Sequence, residues 1–89
     1  MAIRERLSLT LLGERLRERR RALEESQQAF AQRLQIPQSW VSELETASRP
    51  HVEADTVYYL CQGLGVSADY LLGLSDDPSP RHPRTPAAP

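Results

Sequence analysis

The apolar residues between positions 9 and 73 recur at the spacing of amphipathic helices rather than of strands. Leu12, Leu16 and Leu23, at i, i+4 and i+11, predict a long first helix with one inward stripe. Four shorter stripes are marked by Phe30, Ala31 and Leu34; by Val41 and Leu44; by Val57, Leu60, Cys61 and Leu64; and by Leu71 and Leu72. No alternating apolar and polar run competes with this pattern, so we expect a compact all-α domain of five helices.

Turn and capping residues mark several ends of these helices. Gly65 follows the fourth stripe and is expected to end that helix in the left-handed conformation. Ser67 is expected to cap the fifth helix, with Asp69 in its first turn. In the middle of the chain, the pattern predicts a helix over 27–34, a tight turn, and a second helix over about 37–46.

Proline is distributed unevenly, with none in residues 1–36 and five in residues 78–89. The stretch from 78 onward has no hydrophobic residue larger than alanine. Such a segment cannot bury enough surface to offset the entropy that ordering removes. We therefore expect an N-terminal arm at 1–10, a folded domain at 11–74 and a disordered proline-rich tail at 75–89.

Composition excludes several classes of protein. A chain of 89 residues is one small domain or part of one, and its core leaves little room for a catalytic cleft. The single cysteine cannot form an internal disulfide, and the two histidines have no neighbouring cluster of metal ligands. No segment has the apolar length of a signal peptide or a membrane span. We expect a cytoplasmic protein without metal or cofactor, and the lack of a catalytic constellation predicts that it is not an enzyme.

The segment from 26 to 45 holds the candidate functional residues. Its two predicted helices and tight turn have the spacing of a helix-turn-helix. If Val41 and Leu44 face the core, the opposite side of the second helix carries short hydrogen-bonding side chains, namely Gln38, Ser39, Ser42, Glu43 and Thr46. Such side chains reach base edges in the major groove of DNA without long charged arms.

This segment resembles the Cro and phage-repressor type of helix-turn-helix regulators, often called the XRE family. The resemblance covers about residues 11–73 and is carried by LGERLRERRRAL (12–23), SQQAFA (26–31), IPQSWVSELE (36–45) and LGVSADYLLG (64–73). It implies a lambda-repressor-like fold and a bacterial or phage transcriptional regulator, a repressor or controller protein. Such a protein would read double-stranded DNA with the helix at 37–46, as a homodimer on a palindromic operator.

The resemblance implies a role for each matched position. Gln27 would contact a phosphate at the N-terminus of the second helix, and Gln38 and Ser39 would reach bases. Trp40 would lie near the sugar-phosphate edge, with packing in the core as its alternative. The Glu43 carboxylate repels phosphates but accepts from cytosine N4, so it either weakens binding or specifies a base. The candidate DNA-binding set is completed by Ser42, Thr46 and Arg49.

Arg20 and Glu45 are candidates for a structural ion pair. Arg20 lies four residues after Leu16, along the inward stripe of the first helix, where a charge needs a partner. Glu45, beside Leu44, is the available partner, and the resemblance implies the same buried pair. Loss of either side chain is expected to destabilise the fold by about 3 kcal/mol or more.

Three turns depart from the pattern of the family, which commonly has glycine there. The corresponding residues of this chain are Glu24, Gln35 and Ala47. A left-handed backbone at a non-glycine residue costs on the order of 1 kcal/mol. Either the preceding helices run on further than usual, or these turns are strained.

The net charge of -1 hides an uneven distribution. Residues 1–33 hold eight arginines against five glutamates, whereas residues 34–77 hold one arginine against seven acidic residues. Weak non-specific DNA affinity is therefore expected. The alternative function is an antitoxin or protein-binding adaptor of the same fold, whose acidic half could cover a basic partner. For a dimer face we expect Tyr58 or Tyr59 together with Tyr70 or Val66.

Overall fold

A computed structural model describes residues 6–80 of the chain. This part folds into α1 (Leu9–Ala22), α2 (Gln27–Leu34), α3 (Gln38–Glu45), α4 (Ala54–Leu64) and α5 (Ala68–Leu72), and residues 6–80 contain no strand. The predicted five-helix, all-α fold is confirmed. Residues 1–5 of the predicted arm and 81–89 of the predicted tail lie outside the described residues. Among the described helices, none is long and apolar enough to cross a membrane.

The helices enclose one hydrophobic core. Its largest fully buried side chains are Phe30, Leu12, Leu16, Leu60, Leu71 and Val41. α1 packs against α3, α4 and α5, while α2 packs against α3 and α4. Ala31, 2 % exposed, belongs to the same core cluster. Because both α1 and α2 pack against α3, the position of α3 is set by the rest of the domain.

Leu23 departs from the stripe predicted for the first helix. α1 ends at Ala22, and the N–H of Leu23 caps the helix by donating to the Arg19 and Arg20 carbonyls at 3.1 Å. The Leu23 side chain is 45 % exposed. The expectation that it faces the core was wrong, because the chain turns away at Glu24 before this position is covered.

The three turns that lack glycine are left-handed rather than bypassed by longer helices. The φ angles of Glu24, Gln35 and Ala47 are 60°, 60° and 56°. α1, α2 and α3 end one or two residues before them. Each turn therefore carries the strain of a side chain in the left-handed region, on the order of 1 kcal/mol.

Replacing Ala47 with glycine should raise the free energy of unfolding by about 1 kcal/mol, because glycine adopts φ of 56° without a Cβ clash. Urea denaturation of the two proteins measures the difference. Ala29→Gly, at an exposed position inside α2, is the control and should lower stability by about 1 kcal/mol. An Ala47→Gly variant that is no more stable than the wild type would show that the turn is not strained.

The ends of α4 and α5 follow the sequence prediction. Gly65 closes α4 at φ 69°, and its N–H donates to the Cys61 carbonyl at 2.9 Å. The Ser67 Oγ caps α5 by accepting from the Tyr70 N–H at 3.0 Å. Because only glycine enters the left-handed region without steric penalty, Gly65 allows the short turn between α4 and α5.

Arg15 fastens the segment after α5 to α1. Its guanidinium donates to the carbonyl oxygens of Tyr70 and Ser75, and it pairs with Asp76 at 2.8 Å. The same group lies 4.1 Å above the centre of the Tyr70 ring. The chain from 75 to 80 therefore begins against the domain, and Ser67 N–H donates to the Pro78 carbonyl at 3.1 Å.

The surface expected to form a dimer face is only partly present. Tyr58 and Tyr59 are both exposed, by 58 % and 47 %. Tyr70 and Val66 are buried, with 7 % and 3 % exposure, so the expectation that either joins this face was wrong. The ring of Tyr70 is covered by Arg15, and both Tyr70 and Val66 belong to the core cluster.

Candidate nucleic-acid interface

α3 buries one side and leaves the other in solvent. Val41 and Leu44 pack into the core with 0 % and 2 % exposure. Ser39 and Glu43 are one turn apart and project from the opposite side, since residues at i and i+4 share a helix face. The exposed residues of α3 are Gln38, Ser39, Trp40 and Glu43. The helix therefore presents a polar face on a well-anchored backbone, which we call the outer face of α3.

The turn between α2 and α3 fixes how this face is presented. Gln35 ends α2 in the left-handed conformation, and the Ile36 N–H returns to the Ala31 carbonyl at 3.0 Å. Ile36 is partly buried against the core. Pro37 then precedes α3 with φ -64°, the value its ring imposes. Local backbone geometry and core contacts together set the entry of α3.

A buried charged cluster ties α3 to α1 and α2. Arg20 Nε and Nη2 donate to the two carboxylate oxygens of Glu45 at 2.6 and 3.0 Å. Gln27 Nε2, from the start of α2, donates to Glu45 Oε1 at 3.0 Å, and Arg17 Nε lies 3.4 Å from the same oxygen. The Glu45 side chain has no exposed area, and that of Arg20 is 9 % exposed. One carboxylate thus joins three helices directly behind the outer face.

The two partners of the buried pair keep each other charged. Burial alone would raise the pKa of Glu45, but the hydrogen bonds from Arg20 and Gln27, with the charge of Arg20, outweigh it and hold that pKa below its ordinary value. The hydrogen bond to Glu45 raises the pKa of Arg20, although burial opposes this shift. The pair is therefore fully ionised at neutral pH.

Arg49 lies at the edge of the outer face, in the segment between α3 and α4. Its Nε is 3.8 Å from Glu43 Oε1, and its Nη2 is 3.5 Å from Glu53 Oε1. Its guanidinium carbon lies 5.2 Å from the centre of the Trp40 ring. Trp40 is at the surface, with 38 % exposure. The arginine, the indole and the two carboxylates form one surface cluster.

Thr46 follows the last residue of α3, and its exposed hydroxyl is engaged locally. Thr46 Oγ1 donates to the Ser42 carbonyl at 2.9 Å and lies 3.2 Å from Ser48 Oγ. Ser42 is only partly exposed. The centre of the outer face is therefore occupied by Ser39 and Glu43, with Gln38 at its N-terminal end.

Comparison with known proteins matches this arrangement. Residues 11–74 fit the family model of a helix-turn-helix domain. The chain belongs to the helix-turn-helix family. It is of the phage-repressor type: it is similar to the P22 c2 repressor, solved in complex with synthetic operator 9T in the presence of Tl+. The two are 31 % identical, the match covers 70 % of this chain and 92 % of that one, and the TM-score is 0.65. No curated protein is significantly similar in sequence.

In this helix-turn-helix domain, α2 and α3 coincide with the two helices that the sequence predicts over 27–34 and about 37–46. The structure gathers Gln38, Ser39 and Glu43 on one face, with Trp40 and Arg49 at its edge. Gln27 stands apart at the start of α2, where one amide hydrogen is directed to Glu45. The expected site residues thus fall into two groups, one on and beside α3 and the other, Gln27, at the start of α2.

Two participants of these clusters were not foreseen. Arg17 approaches Glu45, but the inward stripe that singles out Arg20 within the charged run at 17–21 gives no signal for Arg17. Glu53 approaches Arg49, and here a signal existed. Residues 34–77 hold one arginine, Arg49, and seven acidic residues, so contacts of Arg49 with neighbouring carboxylates were to be expected.

Stability should decrease in acid as Glu45 loses its charge. A carboxyl whose folded pKa is depressed stabilises the fold above its unfolded pKa, near 4.5, and loses this contribution as pH falls through the folded pKa. We expect the free energy of unfolding of the wild type to fall more than that of Glu45→Gln between about pH 6 and about pH 3.

Denaturant titrations at both pH values measure the two losses. Glu25 also has a lowered pKa, caused mainly by its hydrogen bond to Arg33, but it titrates in both proteins and cancels in the comparison. Equal losses in the wild type and in Glu45→Gln would mean that Glu45 is not the linked group.

Proposed function

We propose that this chain is a sequence-specific regulator of transcription that binds double-stranded DNA through α3. The observation that carries the proposal is the outer face of α3, an exposed polar surface on a helix whose opposite side is locked to the core. A single helix fits the major groove, where each base pair presents a distinct pattern of donors and acceptors. The fold and family are those of DNA-binding regulators, and the similar solved structure is a repressor in complex with an operator.

The candidate residues divide between base and backbone contacts. Gln38 pairs with adenine through its amide, and Ser39 hydrogen-bonds to a neighbouring base edge. Gln27 has a second amide hydrogen beyond the one given to Glu45, and that hydrogen serves a phosphate beside the first N–H groups of α2. Trp40 contacts the sugar-phosphate edge. Because Glu45 of α3 holds the Gln27 side chain, the contact between Gln27 and a phosphate would fix the position of α3 on the DNA.

Useful specificity requires two copies of the domain. One recognition helix reads only a few base pairs, so a homodimer on a palindromic operator, with half-sites about one helical turn apart, extends the site. The exposed pair Tyr58 and Tyr59 on α4 supplies aromatic surface for the contact between copies. Occupation of such an operator would make the protein a repressor or controller protein.

Selection from a random duplex pool tests this function directly. The full chain should enrich a palindromic sequence, and its affinity should fall steeply as salt rises from about 50 to 200 mM. Analytical ultracentrifugation of the complex should find two chains per duplex. If no duplex is enriched at low salt, the proposal fails and the protein-binding adaptor becomes the better description.

Gln38→Ala should weaken binding to the selected duplex by about 1–3 kcal/mol and change binding to random duplex little. The reason is the loss of a paired base contact without any change in charge. Gln32→Ala, at an exposed position of α2, is the matched control and should leave both affinities unchanged. Equal losses on both duplexes would remove Gln38 from base recognition.

A further inference from the structure

Glu43 places a carboxylate at the centre of the face that would meet DNA, and one cation lies beside it. Arg49 is the sole arginine or lysine in the sequence from 34 to 77. Its side chain is 22 % exposed, whereas that of Glu43 is 48 % exposed. The cation is therefore largely withdrawn from solvent, beside a carboxylate that remains available.

Charge and ring contacts, rather than short hydrogen bonds, hold the Arg49 guanidinium. Its distances of 3.8 Å to Glu43 and 3.5 Å to Glu53 are much longer than the 2.6 Å between Arg20 and Glu45. Its Nη1 is shielded from solvent and has no hydrogen-bond partner within residues 6–80. The plane of a guanidinium stacks on an indole face, and Trp40 offers that face. The position of Arg49 is thus determined by Trp40 and by the two carboxylates.

We propose that Arg49 is a positioning residue for base selection, holding Trp40 and Glu43 and offsetting the charge of the Glu43 carboxylate. With that offset, Glu43 selects cytosine instead of repelling the duplex. This inference rests on the proposed function and names a base preference within it. Phosphates repel an unpaired carboxylate even at long range. The Arg49 cation, 3.8 Å from the Glu43 carboxylate, cancels most of this repulsion at all but the shortest distances.

The chemistry of the base edges favours cytosine over the other bases. An ionised carboxylate only accepts hydrogen bonds, so it needs a donor in the major groove. Cytosine offers its N4 amino group, whereas guanine offers only acceptors and thymine an acceptor and a methyl group. Adenine has an N6 donor, but its N7 acceptor lies beside it and repels a carboxylate.

The test compares the wild type with Glu43→Gln, Arg49→Gln and the variant carrying both changes, each as the full chain against the random duplex pool. The wild type should enrich cytosine at one position of each half-site, and Glu43→Gln should lose that enrichment. Arg49→Gln should bind the selected duplex roughly tenfold more weakly, because the carboxylate is left uncompensated. The doubly changed variant should recover most of the affinity but not the cytosine preference.

Two further variants separate positioning from a general effect of charge or folding. Arg33→Gln removes a cation that pairs with Glu25 on another part of the surface, and should change affinity less than about threefold. Arg49→Lys retains the charge without the planar group, so it should keep most of the affinity while enriching cytosine less. Melting curves of all variants, which we expect to superimpose within a few degrees, provide the folding control.

Specific outcomes would overturn the inference while leaving DNA binding intact. One is an Arg49→Gln variant with the affinity and base preference of the wild type. Another is equal weakness of Arg49→Gln and the doubly changed variant, which would mean that Arg49 acts by its own contact or by supporting the fold. A wild type that enriches no duplex at all would instead overturn the proposed function itself.

Discussion

Replacing Glu45 with alanine should lower the free energy of unfolding by about 3 to 5 kcal/mol. The change leaves the Arg20 guanidinium, 9 % exposed, without the carboxylate that receives two of its hydrogen bonds. It also removes the acceptor of Gln27 and the contact with Arg17. Arg20→Ala should lower the free energy of unfolding by a similar amount. It leaves the Glu45 carboxylate, which has no exposed area, without its main ion-pair partner. Urea denaturation at pH 7 measures both.

A variant with both charges replaced shows whether charge burial is the cause. Arg20→Met combined with Glu45→Leu should recover most of the loss, because apolar side chains of similar volume need no desolvation of ions. Glu18→Ala, at an exposed position of α1, is the control and should change stability by less than about 0.5 kcal/mol. Unchanged unfolding midpoints in both single variants would show that the pair does not stabilise the fold.

The consequence for binding follows from where the cluster lies. Glu45 is the last residue of α3, and Gln27 is the first of α2. A protein that retains its helices but loses this carboxylate would hold α3 less firmly against α1. We therefore expect DNA affinity of Glu45 variants to fall even at temperatures where they remain folded.

The helices were predictable because each buries a stripe of apolar residues whose helical spacing is visible in the sequence. Val41 and Leu44 establish the inward side of α3, and its outer face follows from helical geometry alone. Gly65 and Ser67 mark ends because their chemistry suits only a few backbone positions. Information of this kind is local, so one sequence suffices to find it.

The features that sequence could not settle depend on neighbours distant along the chain. Leu23 fits the helical period but lies beyond the last turn of α1, where the chain reverses. Tyrosine is a residue type that often forms contacts between proteins, yet the ring of Tyr70 is covered by Arg15, which lies 55 residues earlier in the chain. The contact of Arg49 with the ring of Trp40 required knowledge of how the segment after α3 turns. Each case is decided by packing rather than by periodicity.

Gly13→Ala should lower the free energy of unfolding by about 2 to 3 kcal/mol, although alanine favours a helix over glycine by about 1 kcal/mol. Gly13 is buried in α1 and faces the end of α3. A Cβ atom there would overlap the Leu44 carbonyl oxygen and approach the Glu45 carbonyl oxygen at 2.8 Å. These are backbone atoms. α3 cannot move aside, because Leu44 is packed in the core and Glu45 is hydrogen-bonded to Arg20.

Gly63→Ala is the matched control, since it makes the same change in another helix. Its Cβ would meet the Leu34 side chain at 2.7 to 3.1 Å, and a flexible side chain can rotate away. We expect its stability to remain within about 1 kcal/mol of the wild type, because helix propensity offsets the adjustment. Denaturant midpoints of the two variants therefore compare a backbone obstacle with a side-chain obstacle. If Gly13→Ala were as stable as Gly63→Ala, the close approach of α1 and α3 would not be what holds the outer face in place.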